Sequence, residues 1–246
     1  MKVIYQPTGK AREYAELACN LFTGCLNKCT YCYVLAVLHK KPAEFHSQCI
    51  ARKGILQQLA RDLKKLPKGS PPVLFCFTTD PYQRSEDWGL NQVTRDALTM
   101  CRSHGVNFKI LTKNPVFAIK DADLYTPDDW FGVTLTSVDD KKLMTSEGNT
   151  DIFWNRCGCL KKMSDRGINT WVSLEPVIDP VEALRIIDWT YKYVDFYAVG
   201  KINYQKSSVD WAKFANQVTR KLRSYKKKFL IKESLRKYLI EEPIYK

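Results

Sequence analysis

Short apolar runs alternate with amphipathic stretches along most of the chain. Residues 73–80 form an apolar run that ends in polar residues, a pattern typical of a parallel strand buried on both faces. Similar runs recur, each next to a segment with helical periodicity such as residues 92–104 or 181–189. The pattern predicts six strands, at residues 17–22, 73–80, 108–113, 131–137, 170–175 and 196–200.

This order of elements predicts an α/β fold. Right-handed crossovers would curl six such strands into an open or partial (βα)6 TIM-like barrel. Residues 33–38 and 47–66 predict helices between the first strands, and the second helix stops at the Pro- and Gly-rich residues 67–72. The 246 residues suffice for one sizeable core. We expect a single domain over residues 1–246, with its core at about residues 15–205.

Basic residues are concentrated near the C-terminus. Residues 201–246 contain thirteen Lys or Arg against four Asp or Glu, which accounts for nine of the net charge of +13. Residues 208–228 place apolar side chains on one helical stripe, and residues 231–240 predict a second, shorter helix. We therefore expect basic C-terminal helices at about residues 206–246. Such a surface favours nucleic acid through phosphate contacts, although a solvated helix face explains the charge equally well.

The chain shows no sign of a membrane span or of export. It contains no run of eighteen apolar residues, and its first residues lack an apolar signal core with a cleavage site. We expect a cytoplasmic protein, and a reducing compartment agrees with cysteines that serve as metal ligands.

Three cysteines stand close together in one short segment. Cys25, Cys29 and Cys32 follow the spacing C-x-x-x-C-x-x-C, and such thiolates can converge on one metal centre. Cysteine thiolates hold iron–sulfur clusters. Because a four-iron cluster has one more iron than this loop has thiolates, one iron would stay open for a substrate or cofactor.

Structural zinc is the competing interpretation. A closed zinc site needs four protein ligands, and no second C-x-x-C pair exists. The missing ligand would have to come from Cys19, His39, His46, Cys157 or Cys159, none of which has standard finger spacing. A disulfide framework is disfavoured because the nine cysteines are an odd number and nothing indicates secretion.

With Tyr31 directly before the third cysteine, this motif resembles the signature of the radical S-adenosylmethionine (radical SAM) superfamily. The lead-in segments at residues 11–14 and 20–24 and the following Tyr33 are similar to the branch that contains spore photoproduct lyase and DNA repair photolyase-like proteins. The resemblance implies a [4Fe-4S] cluster on Cys25, Cys29 and Cys32, with S-adenosylmethionine bound at the open iron.

The resemblance also assigns residues to the methionine end of that cofactor. Thr78, Thr79 and Asp80 resemble a T-S-D stretch that contacts the methionyl amino group, for which a carboxylate is suited by charge. Lys113 resembles a lysine that pairs with the methionyl carboxylate. Tyr31 is expected beside the cofactor. On residue type alone, Asp80 could equally form a turn and Lys113 could enter a solvent loop.

Further candidates follow the later strands. Thr134 and Thr136 look like the ribose-contacting positions of the family, although β-branched residues are also ordinary strand formers. Glu175 ends the fifth predicted strand, where it would bind adenosine or orient substrate, with a structural salt bridge as the alternative.

Catalytic candidates are Cys76, Tyr33 and Glu175. In spore photoproduct lyase a cysteine that returns hydrogen to the product directly precedes the T-S-D stretch, and here that position is Phe77. Cys76 lies one residue earlier, so strand alternation points it to the opposite face, which makes photoproduct repair doubtful. Tyr33 could relay a radical or simply pack over the cluster.

The sequence thus predicts a radical SAM enzyme that cleaves S-adenosylmethionine reductively to a 5′-deoxyadenosyl radical, which abstracts hydrogen from a substrate. We expect a nucleic-acid base as substrate, in DNA repair or base modification, and an electron donor such as flavodoxin or ferredoxin. One alternative is a radical SAM enzyme acting on a peptide, protein or small metabolite. The other is a zinc-stabilised nucleic-acid-binding module without catalysis. Whether Cys157 and Cys159 bind a second metal stays open.

Overall fold

The computed structural model describes residues 2–85 and 88–239. Its centre is a parallel sheet in the order β1-β4-β5-β6-β7-β8-β9, in which each neighbouring pair of strands runs in the same direction. The strands are β1 Leu17–Cys19, β4 Val73–Phe75, β5 Phe108–Thr112, β6 Trp130–Thr134, β7 Asn169–Val177, β8 Phe196–Lys201 and β9 Lys228–Ile231. A second, antiparallel sheet pairs β2 Phe22–Gly24 with β3 Cys49–Ala51.

Helices connect the strands of the large sheet. The helices are α1 Tyr33–Leu38, α2 Pro42–Phe45, α3 Ile55–Leu63, α4 Trp88–Ser103, α5 Pro115–Ala118, α6 Asp140–Ser146, α7 Phe153–Asp165, α8 Pro180–Thr190, α9 Trp211–Ser224 and α10 Glu233–Arg236, with 3-10 turns at Gly9–Ala11 and Ile119–Leu124. Asp139, Asp179 and Asp210 each accept backbone N–H groups at the start of α6, α8 and α9, respectively. Such side-chain caps fix where a helix begins.

The predicted partial barrel is confirmed. Strands that follow one another in sequence also lie side by side, as βαβ units require, and the sheet curls into a half-barrel whose edge strands are β1 and β9. All six predicted strand segments contain a strand of this sheet.

The boundaries needed three corrections. The predicted first strand breaks after Cys19, because the chain turns there into the small sheet. The predicted helix at residues 47–66 is a strand followed by the shorter helix α3, since Gly54 adopts a left-handed conformation between them. The predicted helix at residues 231–240 instead begins with the end of β9, a seventh strand, and Ile240 lies outside the described residues.

The inside of the half-barrel is filled by one large ring system. Trp171 on β7 is fully buried, and its indole N–H donates to the Ile110 carbonyl at 2.9 Å. Gly132 on β6 makes room for it, because a Cβ there would stand 2.1 Å from the indole nitrogen. Tyr14, Ala18, Leu74 and Ala198 complete this inner cluster. The amphipathic face of α9 is also confirmed as core, with Trp211, Phe214, Val218 and Leu222 buried.

Across residues 2–85 and 88–239, no helix has the length and apolar character needed to cross a membrane.

Candidate functional site

A cavity opens at the carboxyl edge of the parallel sheet. Each strand from β4 to β9 sends residues into it from its C-terminal end, which is where parallel barrels place their sites. The candidate residues that line it are Cys25, Cys29, Tyr31, Cys32, Tyr33, Cys76, Thr78, Thr79, Asp80, Lys113, Thr134 and Glu175.

The three cysteines enter the cavity from a loop held by the small sheet. Gly24, the last residue of β2, has φ +78° and directly precedes Cys25. A Cβ at Gly24 would lie 2.0 Å from the Gln48 carbonyl oxygen, so only glycine fits there. Thr79 donates its hydroxyl to the Gly24 carbonyl at 2.7 Å, which ties the loop to the end of β4.

A buried polar network fixes the middle of this loop. Asn27 donates to Asp80 Oδ2 at 2.8 Å, and Asn114 donates to Asn27 Oδ1 at 2.9 Å. The Gln83 side chain is fully buried and accepts the Leu26 N–H at 2.9 Å. The groups are buried and, apart from Asn114 Oδ1, hydrogen-bonded, so the network gives the loop one defined position.

Asp80 accepts hydrogen bonds from four protein groups. Its Oδ1 accepts from the Thr112 hydroxyl at 2.5 Å and the Tyr82 N–H at 3.0 Å, and its Oδ2 accepts from Asn27 and the Lys113 N–H at 2.8 Å. Four donors occupy the lone pairs of the carboxylate. Asp80 thus anchors the cysteine loop, and its contact with the methionyl amino group stays a prediction.

A fully buried ion pair supports the other side of the loop. Arg156 and Glu147 both have 0% of their side chains exposed and form a direct salt bridge. Glu147 also accepts the Tyr31 hydroxyl and pairs with Cys29 in an isolated antiparallel bridge. Arg156 donates to the Thr134 carbonyl at 2.7 Å, at the end of β6. The pair thus connects the loop, Tyr31 and the barrel rim.

The three thiols suit an iron–sulfur cluster. Burial is the largest cause that raises the pKa of Cys25, Cys29 and Cys32, so without a metal the thiols stay protonated, and metal binding would release their protons. Within the part of the chain that the structure describes, no three His, Cys, Asp or Glu side chains converge on a single ion. Ligands of a cluster bind different irons and need not converge on one point, whereas a tetrahedral zinc ion requires it.

The other candidates for cofactor binding divide into two groups. Lys113 lines the cavity with its ammonium 5.6 Å from the centre of the Tyr31 ring, and no carboxylate pairs with it among the described residues. Thr78 and Thr134 also line the cavity. Thr136 does not, because its buried hydroxyl donates to Glu147 at 3.0 Å instead. Of the two threonines expected to contact the ribose, only Thr134 lines the cavity, and both contacts stay predictions.

Cys76 and Phe77 point to different environments. Strand β4 ends at Phe75, and Cys76 has φ +62°, so the alternation expected of a strand through residues 73–80 does not apply. Cys76 nevertheless packs mainly with the outer core, whereas Phe77 joins the inner cluster. Tyr33 donates its hydroxyl to the Phe77 carbonyl at 2.6 Å and lines the cavity. Phe77 therefore occupies the inner position, and Cys76 reaches the cavity wall with 5% of its surface exposed.

Glu175 is held by residues that sequence reasoning missed. Tyr14 donates to Oε2 at 2.5 Å, and Lys232, which directly follows β9, donates to the same oxygen at 2.6 Å. The expected alternative of a structural salt bridge at Glu175 is thus present, in a position that also faces the cavity. Burial raises the pKa of Tyr14 well above its usual range, which keeps the phenol protonated.

Cys157 and Cys159 lie in α7, away from this cavity. Both are buried and free, and Cys157 contacts the Tyr193 hydroxyl. They are part of the outer core cluster, which agrees with the interpretation of small core residues.

Most of the missed residues carry weak sequence signals. Asn27 lies inside the cysteine motif and Tyr14 lies in a lead-in segment, so both were within reach of pattern reasoning. Lys232 was hidden because its segment was interpreted as a surface helix. Glu147 and Arg156 are charged residues in an ordinary helical context, and only the tertiary structure brings them to the cysteine loop.

The sequence matches no family model and no curated protein. The fold is similar to that of a spore photoproduct lyase mutant with bound AdoMet and dinucleoside spore photoproduct, with a TM-score of 0.66 and 14% identity over 89% of this chain and 76% of that one. It is also similar to Streptococcus suis SuiB bound to S-adenosylmethionine, with a TM-score of 0.61 and 13% identity over 87% of this chain and 45% of that one. SuiB bound to precursor peptide SuiA gives a TM-score of 0.63 at 14% identity, over 87% and 47% of the two chains. Both proteins are radical SAM enzymes, so the chain has the fold that the motif predicted.

Proposed function

We propose that this protein is a radical SAM enzyme with a [4Fe-4S] cluster on Cys25, Cys29 and Cys32. The observation that carries the proposal is that one loop brings three thiols, with Cys25 and Cys29 buried and Cys32 half-buried, to the wall of a cavity at the carboxyl edge of a parallel half-barrel. The fold shared with two radical SAM enzymes supports it. A cluster held there with S-adenosylmethionine supplies an electron for reductive cleavage of the cofactor to a 5′-deoxyadenosyl radical.

The protein contributes binding, orientation and shielding. Lys113 would pair with the methionyl carboxylate, and Thr78 and Thr134 offer hydroxyls in the same cavity. Tyr31, fixed by Glu147, packs beside the cysteines. The rings of Tyr33, Phe77 and Tyr14 form an apolar wall that excludes water from the reacting atoms.

We propose a nucleic-acid base as the substrate and flavodoxin or ferredoxin as the electron donor, with the whole chain acting as one unit. The net charge of +13 supports a polyanionic substrate. The direction of β9 divides the basic C-terminal segment. Lys226 and Lys228 precede or begin this parallel strand and lie at the sheet edge opposite the cavity, whereas Lys232 follows it and enters the cavity. Exposed Lys10 lines the cavity, and exposed Lys206 lies in the loop that follows the carboxyl end of β8.

The cluster is tested by anaerobic reconstitution of the wild type and two cysteine variants. We expect about four irons per chain in the wild type, with 5′-deoxyadenosine formed from S-adenosylmethionine under a strong reductant. Cys29→Ala should lose most of the iron and the product. Cys159→Ala is the matched control, because it removes a buried thiol outside the cavity. A colourless wild type that holds zinc would refute the proposal.

The substrate is tested by salt-dependent binding of a single-stranded oligonucleotide. Neutralising Lys10 and Lys206 on the cavity side should weaken binding and reduce its salt dependence, because fewer counterions are released. Neutralising Lys226 and Lys228 at the opposite edge should have a smaller effect on the same measurement. If neither pair matters and a peptide binds instead, the SuiB complex with a precursor peptide indicates the better model.

A further inference from the structure

The Glu175 carboxylate has one oxygen whose hydrogen-bonding capacity is almost unused. Tyr14 and Lys232 both donate to Oε2. Among the described residues, Oε1 accepts only from Asn203 Nδ2, at 3.5 Å, which is the outer limit of a hydrogen bond. Glu175, Lys232 and Asn203 all line the cavity. A carboxylate oxygen that can accept further hydrogen bonds therefore faces the place where a ligand would lie.

A donor stands directly beside this acceptor. The Lys232 ammonium carries three N–H groups, of which one goes to Glu175 Oε2 at 2.6 Å and another to the Lys10 carbonyl at 3.3 Å. The ammonium also lies 4.0 Å from the centre of the Tyr14 ring, and no oxygen or nitrogen atom of a described residue accepts its third N–H. Because the Lys232 side chain is only 2% exposed, an oxygen acceptor for this N–H has to come from within the cavity.

We propose that Glu175 and Lys232 form a subsite that recognises a lactam edge, an N–H beside a C=O, on a planar heterocycle of the substrate. The N–H donates to Glu175 Oε1, and the C=O accepts from Lys232. This assignment rests on the proposed function and names the substrate class of the same cavity, a keto-type nucleobase such as uracil or hypoxanthine.

The surroundings favour a heterocycle over a peptide. A trans peptide bond directs its N–H and C=O to opposite sides and cannot present both to adjacent protein atoms. The subsite also borders an aromatic wall, since the Tyr14 and Phe77 ring centres lie 5.9 Å apart and both rings line the cavity. Flat apolar faces of this kind pack well against bases. The side-chain amide of glutamine presents the same edge but lacks a ring to use that wall.

The test measures nucleoside binding by calorimetry under anaerobic conditions, with the reconstituted protein and S-adenosylmethionine present. The probes are two pairs, uridine with N3-methyluridine and inosine with N1-methylinosine. Methylation removes the N–H and leaves the Glu175 oxygen buried without a partner, so each methylated probe should bind at least about tenfold more weakly. Equal binding within both pairs would overturn the assignment, and so would tighter binding of N-acetylglutaminamide than of uridine.

Two variants test whether Glu175 recognises the N–H of the lactam edge. Glu175→Gln can turn an N–H group toward the probe and should lose the preference for unmethylated nucleosides. Gly200→Ala keeps every charge but brings a Cβ to 2.7 Å from Glu175 Oε1, so it should weaken uridine binding about tenfold even where Glu175→Gln does not fold. Glu44→Gln, at an exposed ion pair, is the matched control and should retain the preference. If both site variants retain the preference for unmethylated nucleosides, Glu175 is not the residue that recognises the N–H.

The outcome for this subsite is separable from the outcome for the proposed function. Formation of 5′-deoxyadenosine in the absence of substrate depends on the cluster and S-adenosylmethionine, not on the lactam edge. If that product forms while the probes show no preference, the subsite assignment fails and the radical SAM proposal stands. If no product forms and no cluster assembles, the proposed function itself fails.

Discussion

Replacing Glu147 by Gln should destabilise the protein far more than a surface substitution of the same kind. The change leaves the Arg156 guanidinium buried without a countercharge, since both side chains are fully buried. The guanidinium keeps its bonds to the Asp151 and Thr134 carbonyls at 2.8 and 2.7 Å. However, the new amide must point an NH2 group either at Arg156 or at the Tyr31 hydroxyl, because both donate to Glu147 in the wild type.

Breaking a buried ion pair by removing one partner costs about 3–5 kcal/mol. That is a large share of the roughly 5–15 kcal/mol by which a typical domain is stable. For a chain of this size, each kcal/mol lowers the melting temperature by about 2–4 °C, so we expect a drop of about 6–20 °C.

The assay is urea unfolding of the metal-free protein, with melting temperature as a second readout. Asp165→Asn is the matched control, because its partner Lys161 and Asp165 are both 60% exposed, and this change should stay within about 0.5 kcal/mol. Combining Glu147→Gln with Arg156→Met should cost less than the sum of the single changes, by about 1 kcal/mol or more. If Glu147→Gln costs less than about 1 kcal/mol, the buried pair does not hold the cysteine loop as described.

Three further predictions concern packing, charge and capping. Gly132→Ala should lower the unfolding free energy by about 1–3 kcal/mol, because the new Cβ would clash with the Trp171 indole. Gly158→Ala is the control: Gly158 is exposed in α7 and has no atom within 4 Å of the new Cβ, so this change should stabilise the protein by about 0.5–1 kcal/mol. Burial lowers the pKa of Lys109 to about 8, below the unfolded value of about 10.4, so between these values the unfolded chain binds more protons and stability rises with pH. Between about pH 7.5 and about pH 10.5, the unfolding free energy of the wild type should therefore rise by up to about 3 kcal/mol relative to that of Lys109→Met, as measured by urea unfolding. A difference between the two proteins that does not change with pH would contradict this. Asp210→Ala should cost about 1 kcal/mol in thermal unfolding because it removes the hydrogen bond to the Lys213 N–H at the start of α9, and an unchanged melting temperature would show that this cap is not needed.

The local sequence determined the parallel strands and the helices whose pattern is strong. The predicted strand at residues 73–80 contains β4, at residues 73–75. This apolar run forms a strand because a strand that is buried on both faces needs apolar side chains on both of them. The helix at residues 211–224 forms where one stripe is apolar, and Asp210 marks its start. These features depend on neighbours a few residues apart, so pattern reasoning could find them. The spacing of Cys25, Cys29 and Cys32 likewise placed one metal loop.

Only the tertiary structure decided which side chains meet around that loop. Glu147, at the end of α6, and Arg156, in α7, carry no local signal of burial, yet both are fully buried and pair with each other next to the cysteine loop. The segment at residues 228–231 reads as part of a basic surface, but pairing with β8 makes it the seventh strand and carries Lys232 to Glu175. Contacts of this kind join residues from different elements of the chain, such as Lys232 and Glu175, and their free energy depends on burial and countercharge, which no local pattern records.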